Sequence, residues 1–519
     1  MEGCCERHSK IIHAGRFDFK FWFALTDTRA NLSRLIQRFP RSTTSQIPTP
    51  PIPAKMLPKH KAAPTTNLRI ATELNEEIQS MNTTENGHAK SMAYPWFVVG
   101  VLMVAYVFSF VDRQILNLLV APIRRDLGIS DTQMSLLMGF SFAIFYTILG
   151  IPLGRLADRW NRRGLIAAGV VVWSLMTALC GLAQTYLQLF LYRIGVGVGE
   201  ATLSPAAYSM IADYFPPEKR AIAISVYSMG IYLGSGIAFL VGGLVIQFAV
   251  AQGAVTLPII GDVRPWQVVF FVLGISGIIF SLAFLLVREP AREGIGAGSS
   301  VPFGEVVSHL WRNRRTVLCH NVGFAMIAFC SYGTAAWVPS FFIRTFGWKA
   351  GDVGVIYGLI VMVFGCAGIL FGGWLTDRWL KQGKTDAALR VGIWASVIAI
   401  LGGVYLVVGD GTLAAILMVP SVFALGMPFG AAPAAIVAIV PNQMRGQTTA
   451  VYLFIVNLIG LGVGPTAVAL VTDYVFANDM ALKWSMLIVG TVANLAAIAL
   501  LAAGLKPYRE TIQRLRAGG

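Results

Sequence analysis

From Tyr94 onward the chain is a succession of long apolar runs joined by short polar connections. Twelve runs reach the length of about 20 residues that a helix needs to cross a bilayer: 95–122, 132–156, 163–184, 187–213, 220–249, 267–287, 317–343, 351–376, 388–408, 411–440, 447–474 and 482–505. Several are longer than a bare span, so tilt or interfacial extension is expected. One connection, 288–316, is long and polar, and it divides the runs six and six. The pattern predicts an all-α polytopic membrane protein. Its expected organisation is an N-terminal six-helix bundle at 94–287, a linker at 288–316, a C-terminal six-helix bundle at 317–505 and a tail at 506–519. Residues 1–93 break the pattern. Seven Pro fall within 40–64, no signal peptide is discernible, and the segment reads as a disordered tail.

Composition agrees with the runs. Charged residues are 13% of 519, about half the soluble norm, the apolar set is 55%, and mean hydropathy is +0.65. The net charge of +15 in a soluble chain would suggest nucleic acid. Here it follows topology. With the N-terminus inside, the inner connections hold sixteen Lys and Arg and the outer ones six, which places both termini in the cytoplasm and leaves nucleic acid unnecessary. The six Cys form no C-x-x-C pair and have no His at ligand spacing. No nucleophile elbow, metal-ligand His pair, paired catalytic carboxylates or Walker loop occurs in the runs or their inner loops. No catalytic residue, metal or cofactor is therefore expected, and the chain does not read as an enzyme.

The halves echo each other. Gly154-Arg-Leu-Ala-Asp158-Arg159-Trp160 follows the second run, and Gly373-Trp-Leu-Thr-Asp377-Arg378-Trp379 follows the eighth, 219 residues on. Pro205-Ala206-Ala207 in the fourth run matches Pro433-Ala434-Ala435 in the tenth. A duplicated six-helix unit suits two bundles rocking about a midplane site.

Gly154-x-x-x-Asp158-Arg159-x-x-Arg162-Arg163 resembles the loop 2–3 signature of the major facilitator superfamily, with Asn161 where a second Gly is usual. Arg193-x-x-x-Gly197-x-Gly199 resembles its fourth-helix motif. Three segments are similar to the Spinster-like branch: Phe110-Val-Asp112-Arg113, Arg193 to Ala201, and Arg288-Glu289-Pro290. The resemblance covers about 94–505. It implies a secondary transporter in which helices 1 and 4 line a central cavity, in a bacterial plasma (inner) membrane.

Charges inside apolar runs cost at least ~2.5–3.5 kcal/mol each, so they should face a cavity or a partner. Asp112, Arg113, Arg193 and Glu200 are the candidates. Arg193 and Glu200 are seven apart, on one helix face, and Asp112 is expected between Arg113 and Arg193 with Glu200 deeper. The resemblance implies proton coupling at Asp112 and Glu200. Gly154, Asp158, Arg162 and Arg163, echoed by Gly373, Asp377 and Arg378, read as a cytoplasmic gate. There the glycines would allow close helix approach, and Asp158 would latch across the bundle interface. Gly195, Gly197 and Gly199 are not a phosphate loop, since no strand precedes them. Phe140, Tyr227, Tyr232, Phe324, Tyr332 and Asn457 are candidate cavity residues, and His320 reads as an interfacial group near the inner end of the seventh run.

The C-terminal half carries little charge with which to grip a sugar acid or phosphate. Together with the Spinster-like resemblance, this implies as partners protons and an amphipathic or lipid-like small molecule, moved by alternating access by a monomer in the bilayer. The alternative is a small organic anion, such as an aromatic or carboxylic acid, held by Arg113 and Arg193.

Overall fold

The computed structural model describes residues 92–252, 255–257, 261–291, 301–441 and 444–517. The segment 1–91, read above as a tail, lies outside the described residues. The described chain is nearly all helix; the exception in regular structure is a short antiparallel hairpin, Val255–Leu257 with Gly261–Val263, between the fifth and sixth runs.

Among the described residues, eleven helical segments are long and apolar enough to cross a membrane. Numbered by run, they are span 1 (Ala93–Leu118), span 2 (131–159), span 3 (Arg162–Cys180), span 5 (217–252), span 6 (Pro265–Leu286) and span 7 (Arg314–Phe346). Spans 8 to 12 are Ala350–Lys381, Ala387–Leu406, Gly411–Ala438, Arg445–Phe476 and Leu482–Ala517. The fourth run is also helical but is built in two pieces, Tyr186–Glu200 and Leu203–Tyr214. Pro205 has no N–H to give the carbonyl four residues earlier, and the Thr202 hydroxyl instead donates to the Gly199 carbonyl at 2.9 Å. With this broken span 4 the twelve expected helices are present. The last helix continues through 506–517, because Tyr508 and Ile512 bury into the C-terminal bundle and the Tyr508 hydroxyl donates to the Ala435 carbonyl at 2.9 Å.

Local signals set the ends. Ser130 and Gln133 form a reciprocal capping box at the start of span 2, and Thr185 and Gln188 do so at span 4. Gly347 (φ 70°) closes span 7 in the left-handed conformation that a side chain would resist. The repeat is visible in the backbone as well. Span 2 contains a wide π-type turn at Leu136–Phe140, and span 8 contains one at Val361–Gly365, where such turns interrupt regular hydrogen bonding.

Outward faces carry bare Leu, Val and Phe, such as Phe248 and Leu370, a surface that suits lipid and not water. Inside, apolar packing falls into three cores. Val98, Phe142, Trp173 and Met210 belong to a core of the N-terminal bundle. Phe324, Leu389, Ile436 and Leu501 belong to one of the C-terminal bundle. The third lies at the face away from the termini and takes residues from both bundles, including Ile115, Trp266, Trp337 and Tyr405. The halves are therefore joined at the far face; toward the terminal face each has its own core, with Leu461 of span 11 reaching into the N-terminal one.

Glycines make the joins. Gly234 of span 5 admits Val107 and Phe110 of span 1, and Gly464 of span 11 admits Phe329 of span 7, close contacts within each half. Between halves, a Cβ on Gly358 of span 8 would stand 2.8 Å from the Gly236 carbonyl of span 5, and one on Gly243 would stand 3.1 Å from the Ala350 carbonyl. Only a bare backbone fits that seam.

Candidate functional site

Span 1 brings Asp112 and Arg113 into the N-terminal bundle, both buried. Neighbouring residues on a helix point about 100° apart, and the two side chains go to different partners. The Arg113 guanidinium turns to span 4, where Nε donates to Glu200 Oε2 at 2.7 Å and Nη2 stands in ion-pair contact with the same oxygen at 2.7 Å. Ser109, four residues earlier on the same face, donates to that oxygen at 2.5 Å. The rings of Phe110, Phe142 and Tyr146 surround the guanidinium at 4.7, 4.4 and 4.7 Å, a cation–π cage that lowers the cost of keeping a charge from water. Asp112 turns to span 3 and accepts from the Thr177 hydroxyl at 3.0 Å.

The Asp112 carboxylate thus bonds to neither of the two arginines between which it was expected. Arg193 meets its backbone, donating Nη1 to the Asp112 carbonyl at 3.2 Å. Among the described residues, Arg193 Nε and Nη2 and Glu200 Oε1 have no hydrogen-bond partner although all three are buried. Such groups cost free energy where they stand. They have capacity to exchange partners if the helices shift. Ser109 was legible from its helical spacing to Arg113; Thr177, 65 residues from Asp112, gave no signal in the sequence.

A narrow cavity of about 70 Å³ opens beside this cluster between the halves. Phe110 connects the two, caging Arg113 and lining the cavity. Tyr232 and Tyr332 line it as expected; Phe239, Tyr357 and Phe429 add aromatic wall, and Gln114, Ser235, Ser331 and Thr334 supply the polar groups. The lining holds no charged side chain. The other four expected residues are not part of it. Phe140 is on the surface. Tyr227 stacks on Tyr106 at 4.6 Å inside the N-terminal bundle, and Phe324 packs with His320 in the C-terminal one. Asn457 starts a wide turn of span 11. The misses share a cause: aromatic type marks burial, and helix rotation decides which burial. His320 is likewise interior and not interfacial, held by Asn321 at 2.9 Å and the Ala432 carbonyl at 3.1 Å.

At the terminal face, Arg162 is buried and forked among three elements. It pairs with Asp213 at the end of span 4 and with Glu289 after span 6 (2.7 Å), and reaches the Ser209 hydroxyl (2.9 Å) and the Pro290 carbonyl (3.0 Å). Arg163 donates its N–H to Glu289 and its guanidinium to the Val287 carbonyl. These bonds stay inside the N-terminal bundle and do not latch it to the other. The side chain of Asp158 lies outside the described residues. Asp377 and Arg378 are exposed, the latter over the Trp374 ring. Gly154 makes only ordinary contact with Pro205, and Gly373 faces open space; Gly372 is the residue that meets the Met427 backbone. Replacing Arg162 by Ala is expected to cost about 2–3 kcal/mol by stranding its partners. Lys should recover only part, because it cannot fork. Thermal unfolding in detergent reads both.

The opposite face holds the cross-bundle ion pairs. Asp131, fully buried at the start of span 2, takes both forks of Arg344 from the end of span 7 at 2.6 and 2.7 Å. Arg124 pairs with Asp131 at 2.9 Å and with Asp479 at 2.6 Å. Thr132 gives its N–H and hydroxyl to Asp473, both at 2.7 Å. The carboxylates of Asp131, Asp473 and Asp479 lie near enough to share a cation, but each is already held by these donors.

Two helical bundles repeated in one chain, joined at one face and enclosing a cavity beside buried charges, define a membrane transporter. A sequence model of the Major Facilitator Superfamily matches residues 102–465, and the chain belongs to that superfamily. It is a multi-pass membrane transporter and not an enzyme. It is similar to a crystal structure of a bacterial homologue of the human lysosomal transporter Spinster, inward-facing and unoccupied. That likeness has 28% identity and TM-score 0.67, and covers 82% of this chain and 98% of that one. An MFS-type efflux pump of Mycolicibacterium smegmatis is 29% identical over 81% of this chain and 95% of its own length. Protein spinster of Drosophila melanogaster is 28% identical over 56% of this chain and 47% of its own.

Proposed function

We propose that this Spinster-like transporter moves an amphipathic, lipid-like small molecule by alternating access, coupled to protons through Asp112 and Glu200. The observation that supports the substrate class is the cavity wall: six aromatic side chains, a few hydroxyl and amide groups, and no charge. An acyl or ring portion would pack on the aromatics and a small polar head would meet Gln114, Ser235 or Ser331. Coupling draws on Glu200 Oε1 and the two open nitrogens of Arg193, whose partners can change as the bundles rock. Both termini lie in the cytoplasm, the membrane is a bacterial inner membrane, and one chain suffices. With that orientation the closed far face is the outer one, and the conformation is inward-open. The gate role of Gly154, Asp158, Arg162, Arg163, Gly373, Asp377 and Arg378 belongs to the outward-open state.

A small organic anion is the second reading, and the open nitrogens of Arg193 favour it. Arg193 is not among the residues lining the cavity, so an anion has farther to go. Proton flux in proteoliposomes, read with a pH dye, decides between them. Lysolipids are expected to move protons with the parent chain and to fail with Asp112→Asn. A response to aromatic or aliphatic acids alone would overturn the lipid-like reading, and undiminished coupled flux in Asp112→Asn would overturn the coupling.

A further inference from the structure

The linker between the bundles contains a helix, Phe303–Arg312. Val306 and Leu310, one turn apart, bury into the core of the C-terminal bundle. The segment is fixed at the ends of spans 10 and 11. Gln447 Nε2 donates to the Val301 carbonyl at 2.9 Å, and the His309 ring stands 3.4 Å from the Ile439 carbonyl. Those contacts account for one face.

A second apolar row has no such cover. Phe303, Val307 and Trp311 recur every fourth residue, which puts them on one side of the helix, and they are 55%, 45% and 70% exposed. A single residue, Asn313, separates this helix from span 7, which begins at Arg314. Trp311 is thus within one turn of the start of span 7. A turn into span 7, Leu318 is exposed as well, so the row runs on into lipid-facing surface. Arg312, Arg314 and Arg315 flank the row, all exposed, and no ion pair to a carboxylate holds any of them among the described residues. The Arg314 guanidinium lies 5.9 Å over the Trp311 ring.

We infer that the linker helix is a surface anchor that binds anionic phospholipid: Phe303, Val307 and Trp311 enter the boundary between headgroups and acyl chains, and Arg312, Arg314 and Arg315 hold headgroup phosphates. The membrane level is set by the entry of span 7. An aromatic residue with a polar edge is stable at that depth, and an apolar row rimmed by arginines suits an anionic interface. The anchor is mounted on the C-terminal bundle through Val306, Leu310 and Val301. It therefore holds that bundle at the surface while the N-terminal bundle, tied to it through the chain before 301, is free to rock.

The test uses the full chain in nanodiscs of phosphatidylcholine, alone or in equal parts with phosphatidylglycerol. A bimane label at Val307→Cys, in a cysteine-free background, should be quenched by lipids brominated near the top of the acyl chain and hardly by aqueous iodide. Native mass spectrometry should show retained phosphatidylglycerol. Retention should fall about fivefold per arginine in Arg312→Gln, Arg314→Gln and Arg315→Gln combined, with less contrast at high salt. The pair Arg514→Gln and Arg516→Gln, at the end of span 12, should leave it unchanged. A label quenched by iodide and not by bromolipid places the row in water and overturns the inference. So does a label shielded from both, which would mean that a second copy or residues 1–91 cover it. Equal lipid retention in the triple variant also overturns it. The label readout on otherwise unaltered arginines stands even if the triple variant does not fold.

Discussion

Replacing Glu200 by Ala is expected to destabilise the N-terminal bundle by about 3–5 kcal/mol and to end coupled transport, because it leaves Arg113 charged, buried and without a counter-ion. The size of the effect follows from how much converges on one oxygen. Glu200 Oε2 receives one hydrogen bond from Arg113 and one from Ser109 and is ion-paired with the same guanidinium, and the aromatic cage of Phe110, Phe142 and Tyr146 keeps water from replacing them. Combining Glu200→Leu with Arg113→Leu should return most of the lost stability, since apolar residues in place of a buried ion pair are often neutral or better. Transport should stay absent in the double variant. Thermal unfolding in detergent and proton flux in proteoliposomes separate the two quantities. Recovery of both together would mean that the pair only braces spans 1 and 4.

The second large effect is expected at the far face. Asp131→Asn keeps the shape of the side chain but removes the charge that Arg344 grips bidentately and that Arg124 shares. Both arginines then lack a buried partner in the closed arrangement. A loss of several kcal/mol in that arrangement alone is enough to reverse a two-state population. Spin labels at Arg125 and Tyr474, on opposite bundles and both exposed, should move from a short to a long distance. Substrate flux should fall, because the cycle needs this face to close. A distance distribution equal to that of the parent would show that the apolar core and the glycine seam of spans 5 and 8 hold the face shut without the ion pairs.

Arg162 shows how a motif can be found while its partners are not. The sequence marked it as a gate residue in the loop before span 3, and it stands at the first residue of that helix. Its bonds go to Asp213 and Glu289 within its own bundle. This also explains the acidic residue of Arg288-Glu289-Pro290, which anchors the chain as it leaves span 6. Gly373 was chosen because it repeats the register of Gly154, yet Gly372 meets a backbone. A one-residue shift turns a helical position by about 100°, more than register alone can resolve.

What the sequence determined by itself is the set of helices, their grouping in two repeated halves, and the presence of four charges that must be sheltered. Span length and the cost of a charge in hydrocarbon are properties of short stretches of chain, readable without knowing any neighbour. The tertiary structure alone decided who shelters whom: Arg113 with Glu200, Asp112 with Thr177, Arg162 inside its bundle, and Asp131 with Arg344 across 213 residues of chain. It also decided that Tyr232 and Tyr332 face the cavity while Tyr227 and Phe324 face the bundle cores. Those outcomes depend on how each helix is rotated and on which bundle it meets. Both are fixed by packing the whole set of helices together, which no local spacing encodes.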